Sequence, residues 1–426
     1  MKNLITYIFI CFIGINLIVS LYGWWQSNQE KDISFNEYTE IIDTIWQTNN
    51  KIERYTYKNN KTFHISPPIY ISRIQNFINA GVKAKPAFQH TYIEIYGYLH
   101  KLIGRNYFED NNKDNDIVRL SNGQLDFTNK LNSLHTCDNN SNNLYFATEQ
   151  LQHFKEYINT YSPKTEIYFI IRPNKGYGEA PYNLNFNNNN KYTTAEFVQD
   201  LKALNFHIFD LNKNIPTDRH IAFYNTDHHW RVEYAFSQIP IICNFIGIES
   251  NIYTNTNYKL INTKRKFTGS LTRRTGNSFT VLTDTFKYYK PLFNTDFIAD
   301  YYTEKKILRR KGTLEQTLLF LEILSVNTWD NNLYRICNQS ENPLVRIRNN
   351  SIEYNNRKIL ILADSYSAPI VTYLALSIKN LDCIDLRSCN NRVLFELIQK
   401  EKYDKIIFLY PLSHSIDKRM YQFNYN

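Results

Sequence analysis

Three short apolar runs near the carboxyl end constrain this chain most: Ile359-Leu360-Ile361-Leu362, Cys383-Ile384-Asp385-Leu386 and Ile406-Ile407-Phe408-Leu409. Two stretches of helical character separate them: one with Pro369 in its first turn, the other over residues 392–400. Strands that are apolar on both faces and alternate with helices cannot form hairpins. They predict a parallel sheet covered on both sides, an α/β fold. The same rhythm occurs earlier. Leu151, Phe154 and Ile158 share a helical face ahead of Ile167-Tyr168-Phe169-Ile170-Ile171. Thr193 and Glu196 read as a capping box opening a helix with Phe197, Leu201 and Leu204 on one face. A strand over residues 206–210 and a helix over 232–239 follow. Residues 250–345 lose the rhythm and read as an irregular insertion, with a tight turn at Phe267-Thr268-Gly269-Ser270 and a helix over 314–324. The basic run Lys305, Lys306, Arg309, Arg310 and Lys311 reads as a helix surface. Residues 104–123 suggest short strands and turns.

The amino terminus is of another kind. Residues 4–25 carry no charge and are mostly apolar, near the roughly 20 residues a bilayer-spanning helix needs. Tyr22, Trp24 and Trp25 close the stretch as interfacial aromatics would, and no small-x-small cleavage site follows. An uncleaved anchor over residues 1–26 is therefore expected, with a cleaved signal peptide as the alternative; either way the bulk of the chain is exported. Residues 27–103 read as a helical, aromatic stalk or wrap. The net charge is +9, but no long Lys/Arg block or zinc-finger spacing accompanies it, so nucleic acid is not an expected partner. The six cysteines include Cys11 in the apolar stretch. The rest form no C-x-x-C pair and are odd in number, against both a structural zinc site and a complete disulfide framework.

Two short segments carry the chemistry. Ser365, in Ala363-Asp364-Ser365, follows a buried strand and opens a helix, the edge of an α/β sheet where ligands bind. There its hydroxyl stands above the sheet, and the helix start offers backbone N–H groups to a developing oxyanion. Ser365 read alone is equally an ordinary helix cap. A serine needs a base, and Asp227-His228-His229-Trp230 supplies one. Residues two apart in extended chain point the same way, so Asp227 can orient His229 while His228 points elsewhere. Asp227-His228-His229 could also begin a metal cluster, but no further ligands occur at recognisable spacing. Trp230 packs beneath the histidine or, alternatively, stacks on a sugar. His414 and Asp417, beyond the last strand, form a competing base pair.

Together these segments resemble a known family. Ile361-Leu362-Ala363-Asp364-Ser365-Tyr366-Ser367 is similar to the Gly-Asp-Ser nucleophile block of SGNH (GDSL) hydrolases, with Ala363 in place of the glycine. Thr226-Asp227-His228-His229-Trp230 resembles the motif that names the bacterial DHHW proteins, relatives of the periplasmic SGNH-like domains of alginate O-acetyltransferases. In that group the Asp-x-His-Trp element precedes the serine block, a circularly permuted order, as it does here. Pro173-Asn174-Lys175, Phe267-Thr268-Gly269-Ser270 and Ile384-Asp385-Leu386-Arg387 lend weaker support. The resemblance implies a three-layer α/β/α SGNH-like domain over 104–426 with the insertion at about 250–345. It assigns Ser365 as nucleophile, His229 as general base and Asp227 as its orienter. Arg387 and Trp230 become candidates for substrate or oxyanion contact. The family's asparagine oxyanion donor is not placed by these motifs. The implied activity is O-acetyl transfer to an exported or cell-surface polysaccharide by an extracytoplasmic, membrane-anchored domain of a bacterial protein. A separate multi-spanning acyltransferase would deliver acetyl groups, and no cofactor or metal is called for. The same residues would serve a carbohydrate acetylesterase; a non-catalytic polysaccharide-binding or assembly protein is the third reading.

Overall fold

The computed structural model describes residues 89–102, 104–108, 115–129, 138–173, 175, 191–303, 306–326, 328–329, 331–337, 342–353, 356–411 and 418–423. One compact unit runs from Lys85 to Asn426. The apolar stretch at residues 4–25, most of the expected stalk, and His414 with Asp417 lie outside the described residues. Among the described residues no helix is long and apolar enough to cross a membrane.

Thirteen strands are described, in three sheets. β1 (Tyr107–Phe108), β2 (Asn115–Arg119) and β3 (Leu125–Asn129) form a small antiparallel sheet. β4 (Glu166–Ile171) and β5 (His207–Asp210) enter the main sheet, and β6 (Tyr258–Phe267) pairs with β7 (Asp284–Pro291) as a separate two-stranded antiparallel sheet. β8 (Phe297–Tyr302), β9 (Ile307–Gly312), β10 (Leu344–Asn349), β11 (Lys358–Ala363), β12 (Asn380–Ile384) and β13 (Lys405–Tyr410) complete an eight-stranded sheet of order β5-β4-β13-β11-β12-β10-β8-β9. The five strands from β5 to β12 are mutually parallel, and β10, β8 and β9 continue the sheet antiparallel.

Alternation along β11 divides the core into two layers. Ile359, Ile361 and Ala363 pack with Ile239 and Ile242 of the Val232–Phe245 helix and with Ile370 and Val371 of the Ala368–Leu374 helix. Leu360 and Leu362 face Phe154 of Asp138–Tyr161, Leu201 of Lys191–Ala203 and Ile398 of Asn391–Glu401. Helices on both faces of a mostly parallel sheet are what such doubly buried strands require.

Several expectations need correction. The stretch read as an irregular insertion supplies β8, β9 and the first residues of β10 to the main sheet. Antiparallel edge strands need no helical crossover, so the β-α rhythm is absent where they add on. Of the basic run, Arg309, Arg310 and Lys311 lie on edge strand β9, not on a helix; Arg309 and Lys311 are exposed, and charged side chains of this kind are common on open sheet edges. The helix expected over 314–324 is one turn, Leu314–Thr317, followed by a 3₁₀ turn at Leu321–Ser325. Thr193 lies inside a helix that already begins at Lys191. The Val232–Phe245 helix runs through Pro240, where the sequence suggested a stop.

Candidate active site

The chain between Phe223 and Trp230 folds back on itself. Phe223 and Trp230 form an isolated antiparallel bridge, and the Tyr224 and Arg231 N–H groups bond the carbonyls of His229 and Ala222. A buried carboxylate, Asp284 of β7, holds this loop. It accepts from the Thr226 N–H and hydroxyl, both at 2.7 Å, and from Arg231 Nη2 at 2.9 Å. Asp227 stands near the loop's tip, 1% exposed.

Asp227 Oδ1 accepts from the His229 N–H at 3.0 Å and lies 2.5 Å from His229 Nδ1. A carboxylate can only accept, so the ring proton sits on Nδ1 and Nε2 is left as an acceptor. Nε2 lies 3.1 Å from Ser365 Oγ. Asp227, His229 and Ser365 therefore form one hydrogen-bonded chain, from three positions the sequence singles out. The other carboxylate oxygen accepts the Ser270 N–H at 2.6 Å, at the start of the Ser270–Thr275 helix. Burial pushes the Asp227 pKa up, but the neighbouring His229 and His228 rings and the bonds from His229 and Ser270 outweigh it. The carboxyl is held well below its usual range.

Ser365 follows β11, the strand where the sheet reverses direction: the chain goes from β11 to β12 on one side, then crosses to β13 on the other. Such switch points open a crevice at the carboxyl ends of the strands. Asp364 caps the turn Ser365–Ser367, its side chain accepting from the Tyr366 N–H at 3.0 Å. The Ser367 N–H bonds the Asp364 carbonyl. The Tyr366 and Ser367 N–H groups at the helix start are thus already engaged. The Ser365 N–H has no hydrogen-bond partner among the described residues, and its side chain is partly exposed. Ala363, in place of the glycine, directs its methyl into the apolar core.

The other expected site residues are placed differently. Trp230 is fully buried, with its indole N–H donating to the Tyr366 carbonyl at 2.7 Å. The substrate contact expected of it has no exposed surface to act through. Arg387 forms a two-pronged pair with Asp385, at 3.0 and 2.6 Å, beyond the end of β12. His228 Nδ1 lies 2.8 Å from Ser270 Oγ, while it is His229 that bonds Ser365. Burial and the adjacent His229 ring hold its pKa well below the ordinary imidazole value, although part of the ring reaches solvent. Asp227, His228 and His229 can each offer a ligand atom within 4.8 Å of one another, but both ring nitrogens of His229 face protein partners.

Several supports have roles that the sequence does not disclose. The Tyr334 ring stacks on His229 at 4.0 Å and 15°, and its hydroxyl donates to the Tyr366 carbonyl at 3.1 Å. Nothing in the sequence around it marks it. Fully buried Lys175 donates to the carbonyls of Leu125, at 2.6 Å, and Asp227. Burial lowers its pKa to about 8 against the pull of Asp126, Asp227 and Asp284. Gly269 lies where a Cβ would meet Thr226 O at 2.3 Å and Asp227 Cβ at 2.4 Å. The tight turn at Phe267-Thr268-Gly269-Ser270 was legible; its contact with the carboxylate was not.

The fold and site together define an α/β protein with a serine–histidine–aspartate chain at the carboxyl edge of its parallel strands. Solved structures share this fold. Bacillus cereus PatB1, solved with a sulfonyl adduct, aligns with a TM-score of 0.54 at 18% identity, covering 73% of this chain and 99% of that one. A DHHW family protein from Eubacterium siraeum aligns at 0.51 and 16% identity, over 74% of this chain and 96% of that one. The O-acetyltransferase domain of Pseudomonas putida AlgJ aligns with a TM-score of 0.39 at 10% identity, over 72% of this chain and 98% of that one. No protein-family model and no curated protein matches the chain. The resemblance to DHHW proteins thus rests on motif order and fold together.

Proposed function

We propose that this chain is an extracytoplasmic O-acetyltransferase acting on an exported or cell-surface polysaccharide, built as a circularly permuted SGNH-like domain. The observation that carries the reading is the unbroken chain from Asp227 through His229 to Ser365 Oγ. In the proposed reaction His229 Nε2 takes the hydroxyl proton as Ser365 Oγ attacks the carbonyl of an acetyl donor. Asp227 stabilises the resulting imidazolium. The Ser365 N–H is the oxyanion donor that the local geometry leaves open. Collapse of the tetrahedral adduct expels the donor's alcohol, which takes the proton back from His229, and leaves acetyl-Ser365. A sugar hydroxyl, deprotonated by the same imidazole, then attacks acetyl-Ser365; collapse of this second adduct expels Ser365 Oγ, which takes the proton back from His229, and releases the acetylated sugar. The side chains support acyl transfer; the motif resemblance supports a polysaccharide acceptor. The same resemblance motivates an anchor at residues 4–25 in the bacterial cytoplasmic membrane, and a multi-spanning partner that supplies acetyl groups.

Product analysis tests this. The purified protein is incubated with an aryl acetate and oligosaccharide acceptors, beside Ser365→Ala. Acetylated sugar from the wild type alone is the expected result. Free acetate with no acetylated sugar makes the protein a carbohydrate esterase. Equal activity in both proteins overturns the catalytic reading.

A further inference from the structure

We infer that Arg172 is a positioning residue that locks the nucleophile turn to the base-bearing loop, an inference that rests on the catalytic reading above. Arg172 is the first residue after β4, which is separated from β11 by β13. Its guanidinium reaches across that intervening strand. Nη2 donates to Asp364 Oδ2 at 3.0 Å, and the guanidinium carbon lies 3.7 Å from the centre of the Tyr366 ring. The Arg172 side chain is 11% exposed and that of Asp364 7%, so the pair is shielded from solvent and its geometry matters more than that of a surface ion pair.

These contacts bracket Ser365 on both sides. Asp364 divides its carboxylate: Oδ2 accepts from Arg172 and Oδ1 from the Tyr366 N–H at 3.0 Å. Tyr366 in turn connects to the opposite half of the site. Its hydroxyl donates to the His228 carbonyl, while its own carbonyl accepts from Trp230 Nε1 at 2.7 Å and from the Tyr334 hydroxyl at 3.1 Å. Three donors and acceptors thus tie Tyr366 to the loop carrying His229 and to the Tyr334 ring that stacks on it. Arg172 fixes the remaining degrees of freedom, by charge at Asp364 and by stacking over the Tyr366 ring. A planar guanidinium does both at once; an ammonium cannot. Nothing places Arg172 on the reacting atoms, so it acts through Asp364 and Tyr366 on where Ser365 Oγ points.

The test compares wild type, Arg172→Met, Arg172→Lys, Asp364→Asn and the double variant Arg172→Met with Asp364→Asn. Asparagine still caps the turn, so Asp364→Asn removes the charge while retaining the local hydrogen bond. Aryl acetate turnover gives kcat and KM; the rate of Ser365 sulfonylation by phenylmethanesulfonyl fluoride, read by mass spectrometry, reports hydroxyl reactivity; circular dichroism checks folding. For Arg172→Met we expect kcat and the sulfonylation rate to fall on the order of 100-fold, the scale of a small misplacement, with KM nearly unchanged. Arg172→Lys should recover only part of the loss. The double variant should be no worse than the poorer single variant, because both changes break one contact. Wild-type rates in a folded Arg172→Met, or losses that multiply in the double variant, overturn the inference while leaving the Ser365 assignment intact. A wild type whose Ser365 is neither sulfonylated nor needed for turnover overturns the catalytic reading and this inference with it.

Discussion

At the scale of single residues, the site depends on one tautomer. Asp227 bonds His229 Nδ1 and so leaves Nε2 facing Ser365 Oγ. An amide at position 227 can present N–H as readily as oxygen to that ring, which lets the wrong nitrogen face the serine. Asp227→Asn should therefore lower kcat for aryl acetate hydrolysis on the order of 10⁴-fold while the folded structure persists. Steady-state kinetics alongside circular dichroism checks this; a loss below tenfold would mean that His229 is oriented by something else. The sequence disclosed Asp227, His229 and Ser365 because each stands in a recognisable local pattern. Tyr334 and Arg172 stayed hidden because their roles depend only on where the fold brings them. Tyr334 arrives from the Leu333–Ile336 turn, and Arg172 from the far side of β13.

At the scale of elements, the base loop and the start of the Ser270–Thr275 helix work as a unit. The Ser270 N–H reaches Asp227, the Thr272 N–H reaches the Thr226 carbonyl, and the Gly269 N–H reaches Thr226 Oγ1. This approach is closed to any side chain at 269, since a Cβ would overlap Thr226 O and Asp227 Cβ. Gly269→Ala should cost about 1–3 kcal/mol of stability, the usual range for forced overpacking, and should lower kcat as Asp227 moves. Denaturant unfolding with kinetics measures both; an unchanged midpoint and unchanged kcat would contradict the packing argument. The central strands were legible because β11 and β13 are apolar on both faces. β12 begins at Asn380, three residues ahead of the run Cys383-Ile384-Asp385-Leu386 that marks it in the sequence, and it includes Asp382. Asp382 is in fact buried, bonded by Arg346 at 3.2 Å, Arg348 at 2.9 Å and the Tyr403 hydroxyl at 2.6 Å. Pairing at a distance made a charged residue compatible with a strand interior, and no local pattern announces it.

At the scale of the molecule, the parallel half of the sheet carries the site at the carboxyl edge, while ion pairs join strands and helix elsewhere. Glu401, the last residue of the Asn391–Glu401 helix, bonds Arg346 of β10 at 2.6 Å and Lys358 of β11 at 3.0 Å. Burial alone would raise its pKa, but the bonds and charges of Lys358 and Arg346 outweigh it and bring the value down from 4.5 to about 2. A carboxyl with a depressed folded-state pKa stabilises the fold above its unfolded value, and loses that contribution as pH falls through its folded value. Glu401→Gln should therefore weaken the pH dependence of stability between about pH 4.5 and 2, with a lower unfolding midpoint at neutral pH. Thermal unfolding across that range measures it; parallel curves for both proteins would remove Glu401 from the acid response.

In the proposed reaction Ser365 is acylated with His229 as its base. The most direct measurement is rapid quenching of the protein with an aryl acetate, followed by intact and peptide mass spectrometry. One acetyl group per chain is expected, on the peptide bearing Ser365, formed in a burst by the wild type and lost in folded Ser365→Ala and His229→Ala. Acetylation elsewhere, or unchanged acetylation of Ser365 in a folded His229→Ala, would contradict it.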